Sequence, residues 1–233
     1  ALSTASLSAM ADIMRATHLD EAIFASLCRE SDMYHVLQRC AILVSRMALT
    51  MPPPMFHDMV RATASWPDLC RRLISTSATL SHARSRKLVA LGLAHMLRHA
   101  SAQDKGLLSA VPDMIGMWTE VVGEVVEDEA GSADRYEREL SPTRALEIGE
   151  DGIPFLDEFG LIEAAPTPSS ARTDAVRSRD PSFNVPLRAY VADTLNTVLQ
   201  NGSYKTQLQS LLATIDPLVL DTLQRGLSER PVA

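Results

Sequence analysis

Val111, Met114, Ile115, Trp118, Val121, Val122, Val125 and Val126 constrain the fold more than any other feature of the chain. Their i, i+3, i+4, i+7 spacing persists for about four turns, which puts them on one face of a helix. In a strand the same residues would point to both faces and could not share a core. A second pattern precedes it. Leu80, Leu88, Leu91, Ala94 and Leu97, flanked by Val89, Leu93 and Met96, predict a helix from a cap at Ser81 to about His99. A short polar stretch joins the two, with a brief helical turn after Asp104 and then Val111-Pro112-Asp113. Such a hairpin cannot bury all of its apolar surface alone and needs similar neighbours.

The upstream sequence supplies them. Leu2, Leu7, Met10, Ile13 and Met14 keep helical spacing, and Asp20-Glu21 opens a helix with Ile23, Phe24 and Leu27. Acids in a first turn suit the positive end of the helix dipole. Ser31-Asp32 leads into Val36, Leu37, Cys40, Ala41, Val44, Met47 and Ala48, with Ile42 and Leu43 widening the stripe. A helix apolar over so much of its circumference must be covered on two sides. Met51-Pro52-Pro53-Pro54 stops it, because prolines remove donors and disfavour helical geometry before them. A short helix is expected around His57–Thr63, and another from Trp66-Pro67-Asp68 through Leu69, Cys70, Leu73 and Ile74, with Pro67 at its first position. Residues 1–128 thus read as seven or eight helices without a strand. The long helices are spaced about 40–50 residues apart, which fits the roughly 40–47-residue period of HEAT hairpins, and no sequence identity recurs at that period. A solenoid is the expectation, with a non-repetitive bundle as the alternative.

The character changes at Glu120. From there to Glu163 the chain carries fourteen acids and three arginines, about half of its acids. Ile153, Phe155, Leu156, Phe159, Leu161 and Ile162 form an acidic-apolar stretch, and residues 164–180 have linker composition. Helical patterning returns at Asp180-Pro181, with Leu187, Tyr190, Val191, Leu195, Val198 and Leu199 stopped by Asn201-Gly202. Leu208, Leu211, Leu212 and Ile215 follow, and then Asp216-Pro217 opens a last helix ending near Gly226. The expected organisation is helical hairpins over 1–128, an acidic insert over 129–180 and a helical cap over 181–233. The fold class is all-α, an α-α superhelix of the HEAT type.

Composition narrows the function. A net charge of −7 argues against a general nucleic-acid binder, which needs a cationic footprint. No apolar run approaches the 18 or so residues of a membrane-spanning helix, and the start of the chain lacks the pattern of a signal peptide. Cys28, Cys40 and Cys70 lie within helical apolar patterns without CxxC spacing, which suggests reduced thiols rather than a metal or redox centre. His95 and His99 share a helix face, yet no Glu follows the first as in HExxH and no acids nearby complete a metal set. Gly-rich phosphate loops and the GxSxG nucleophile turn are absent. Solvated carboxylates lack the partly dry, fixed setting that acid–base catalysis needs. A non-enzymatic binding protein without a cofactor is expected. Arg84, Arg86, Lys87 and Arg98 are the one basic cluster, an exposed helix edge that could contact the acidic insert in cis.

The order of motifs carries a family resemblance. RKLVALGLAHML, VPDMIGMWTEVVGEVVEDEAG, the acidic insert, RSRDPSFNVPLRAYVADTLNTVL and LLATIDPLVLDTLQRGL together resemble the C-terminal end of the β-karyopherins, and within them the importin-eleven subfamily. The resemblance covers residues 85–230; residues 1–84 add compatible helices. It implies a HEAT solenoid of nuclear transport, acting in nucleus, cytoplasm and nuclear pore. Such receptors bind protein cargo on a concave surface, touch Phe-Gly nucleoporins and release cargo to Ran-GTP. Ran-GTP binding is centred on N-terminal repeats, which this chain is expected to lack. No family motif places binding residues here, so the candidates come from charge. Glu120, Glu124, Glu127, Asp128 and Glu129 are expected to draw in basic cargo, and Phe155, Phe159 and Leu161 to dock the insert on the scaffold. A HEAT- or armadillo-like scaffold subunit of another multiprotein complex is the alternative.

Overall fold

The computed structural model describes residues 12–28, 33–101, 103–104, 106–131 and 180–228. The described residues contain ten named α-helices, and residues 12–16 are helical ahead of the first. They are α1 (Leu19–Cys28), α2 (Tyr34–Thr50), α3 (Pro53–Thr63), α4 (Trp66–Ser77), α5 (Ala83–Arg98), α6 (Val111–Gly131), α7 (Pro181–Asn184), α8 (Leu187–Gln200), α9 (Gly202–Leu212) and α10 (Pro217–Ser228). A 3-10 turn, Leu108–Ala110, feeds α6.

The helices stack in two layers. In one layer α2 packs on α5 and α5 on α8; in the other α4 packs on α6 and α6 on α10. Within each pair, α2 meets α4, α5 meets α6 and α8 meets α10. This repetition of like contacts is the α-α superhelix expected from the sequence. Helix α5 lies at its centre, with α2 on one side, α8 on the other, and α4 and α6 across the layer. Its residues Leu88 to Ala94 are buried without a break, as are Met96 and Leu97. The wide apolar stripe is therefore used on every side. Gly92 lets α2 come close: a Cβ there would stand 2.9 Å from Ser45 Cβ and 3.0 Å from Ser45 Cα.

Helix α6 buries Val111, Met114, Ile115, Trp118, Val121 and Val122, as its periodicity requires. The Trp118 indole donates to the Ala90 carbonyl of α5 at 3.1 Å, so the largest buried side chain also satisfies its one polar group. The C-terminal helices continue the stack. Leu187, Val191 and Val198 of α8, Leu208 of α9 and Leu223 of α10 join the same core. Gly226 allows α10 to approach α6, where a Cβ would lie 3.0 Å from Val122 Cγ1.

Several local expectations shift by a few residues. The proline run does end α2, but Pro53 and Pro54 themselves begin α3, four residues earlier than His57, since a first turn tolerates missing donors. Ser65 caps α4, accepting from Asp68 N at 3.3 Å, which makes Trp66 its first residue and Pro67 its second. His82, rather than Ser81, occupies the cap of α5 and makes no side-chain cap bond. Asn201 does end α8, and Gly202 already opens α9, while α10 runs two residues beyond Gly226 to Ser228. Asp216 does cap α10, accepting from Leu218 N at 2.8 Å.

The chain re-enters the described structure at Asp180, 134 residues from Arg46 in sequence and hydrogen-bonded to it. Asp180 caps α7 by accepting from Ser182 N at 3.0 Å and Ser182 Oγ at 2.8 Å. Its other oxygen accepts from Arg46 Nη2 of α2 at 2.7 Å. One carboxylate thus sets both the start of a helix and its attachment to the stack.

Candidate functional site

The face of α6 opposite its apolar stripe is acidic. Asp113 and Glu120 are exposed, with Gly123 between the turns, and Glu124 is half-buried. Glu127 lies at the i, i+7 position from Glu120, which keeps it in the same register. Asp128 and Glu129 complete the helix's acidic end. The side chains of Glu127, Asp128 and Glu129 lie outside the described residues, as do Phe155, Phe159 and Leu161 entirely.

Glu120 and Glu124 are already engaged. Arg86, in the first turn of α5, donates Nη2 to Glu120 Oε2 at 3.2 Å and Nη1 to Glu124 Oε1. Arg86 of the basic cluster thus pairs within the hairpin, with α6, and any contact of that cluster with the acidic insert lies outside the described residues. The pairing is graded. Arg86 is 16% exposed, Glu124 38% and Glu120 66%, so the outermost carboxylate keeps most of its surface free. Among the described residues Glu124 Oε2 and Arg86 Nε are buried without a hydrogen-bond partner. The arrangement holds one guanidinium between two carboxylates spaced one helical turn apart. Both contacts are charge-assisted pairs within the hairpin, and Glu120 stays exposed beside them.

Two other polar clusters join elements rather than face solvent. Asp104, just ahead of the 3-10 turn, is buried and accepts five hydrogen bonds. They come from Arg61 Nε at 2.9 Å, Trp66 Nε1 at 3.1 Å, His57 Nδ1 at 2.9 Å, and Ser101 N and Oγ at 2.8 Å each. Burial pushes its pKa up, but the donors from Arg61, His57 and Ser101 outweigh burial and hold the carboxyl well below its ordinary range. This cluster ties α3, α4 and the 101–110 connection together. The second joins α5 to α8. His95 Nδ1 lies 2.5 Å from Tyr190 Oη, Arg98 Nη1 lies 2.5 Å from Asp193 Oδ2, and the Arg98 guanidinium stands 5.5 Å from the Tyr190 ring centre. The His95 and His99 rings are 4.5 Å apart. Burial, then His99, His57 and Arg98, lower the His95 pKa to about 4; burial and Arg98 also lower His99. A neutral His95 serving as hydrogen-bond partner to Tyr190 is a satisfied histidine, as its sequence context suggested. Among the described residues no group of three or more His, Cys, Asp and Glu side chains could hold a metal ion.

Sequence reasoning located the acidic face and missed the clusters. Asp104 gathers Arg61, His57 and Trp66 from 43, 47 and 38 residues away, and no local pattern announces such convergence. The Asp180–Arg46 pair is equally remote. Only Asp180-Pro181 gave a signal, and it reported the helix start without its partner.

A two-layer stack of helical hairpins, tied together by interhelical ion pairs, is the architecture of a helical-repeat protein. A family model described as "Importin-11-like, TPR repeats" matches residues 1–228, and the chain belongs to that family. The family's description types the repeats as TPR, where spacing suggested HEAT; both are stacked helical hairpins. No curated protein and no solved structure matches the chain. Among the described residues no helix is long and apolar enough to cross a membrane. The family points to protein partners.

Proposed function

We propose that this chain is a cargo-contacting region of a nuclear transport receptor, and that it works by reversible binding rather than catalysis. The observation that carries this reading is Arg86 seated between Glu120 and Glu124. It shows in cis how the acidic face of α6 accepts a guanidinium. A basic protein cargo would present further guanidinium or ammonium groups to Glu120 and to Glu127, Asp128 and Glu129 beyond it. Exposed pairs of this kind each contribute only about 0–1 kcal/mol. Affinity would therefore come from several pairs at once and would fall with ionic strength. In this reading the receptor shuttles between cytoplasm and nucleus through the pore, with Phe-Gly nucleoporins as transit partners. Ran-GTP engages it elsewhere than on this face and releases the cargo.

The test is a pull-down with the full-length receptor. Basic cargo should be retained at low salt without Ran-GTP and lost on adding Ran-GTP. Retention of no basic cargo under those conditions would sink the reading. Partners that stay bound regardless of Ran-GTP would favour a scaffold role instead.

A further inference from the structure

We draw no further inference here: the strongest candidate, the His95–His99 side-chain pair at the C-terminal end of α5, carries nothing, because among the described residues no third His, Cys, Asp or Glu completes a metal set around it and its bond to Tyr190 belongs to the α5–α8 cluster already described.

Discussion

Gly92 of α5 faces Ser45 of α2 so closely that an added Cβ would lie 2.9 Å from Ser45 Cβ. Both residues are buried, and the Ser45 hydroxyl turns back to donate to Ala41 O at 2.8 Å, so no polar group is stranded at the contact. This small-on-small contact sets the spacing of the first layer at its centre. Gly92→Ala should force α2 and α5 apart and destabilise the protein by about 1–3 kcal/mol, read from urea unfolding. Gly116→Ala on α6 is the control. Its Cβ would meet nothing within 4 Å, and replacing a helical glycine in open space should stabilise by about 0.5–1 kcal/mol. Equal effects from the two would mean that the close approach does not matter.

Asp180 ties the start of α7 to α2 through one carboxylate. Asp180→Ala removes the cap of α7 and leaves Arg46 without its acid, but Arg46 is 45% exposed and can be solvated. The expected loss is therefore modest, about 1–2 kcal/mol. Hydrogen exchange should place it in α7 and α8, with α1 to α4 unchanged. Asp180→Asn keeps an acceptor for Ser182 N and should lose less.

Acid should destabilise the stack in two stages. The folded-state pKa of His95 is lowered to about 4 from an ordinary 6.5, so the unfolded chain takes up this proton first. Stability is then complete above about pH 6.5 and declines as pH falls towards 4, by an amount on the order of 2 kcal/mol. Asp104 acts lower. Its folded pKa is held below the ordinary 3.8, so its contribution is present above that value and is lost as pH falls through and below it. His95→Gln should flatten the first stage and leave the second. Asp104→Asn should cost about 3 kcal/mol near neutral pH, because Arg61 and His57 lose their shared charge. A first stage that survives in His95→Gln would assign it to other groups, His99 first among them.

Periodicity made most of the fold legible. The stripe from Val111 to Val122 and the nearly all-round apolar run of α5 follow from spacing alone, and both are buried as that spacing requires. Helix starts were less legible. Caps are chosen by a single side-chain bond, so Ser81 and His82 differ by one residue with little local energy between them. The acidic face of α6 was legible as charge. That Arg86 already occupies it was not, because an ion pair between helices depends on how the hairpin closes. Asp104 was least legible. It is one acid in a polar connection, and its role arises only once α3, α4 and the connection converge.

The most direct measure of the central claim is the affinity of the acidic α6 face for a cation. A labelled arginine-rich peptide can be titrated into the wild-type chain, into Glu120→Gln with Glu124→Gln, and into Arg86→Gln. Removing the acids should weaken binding by about tenfold at low salt, with the difference vanishing at high salt. Removing Arg86 frees both carboxylates and should tighten it. Equal affinities in all three proteins would contradict the account.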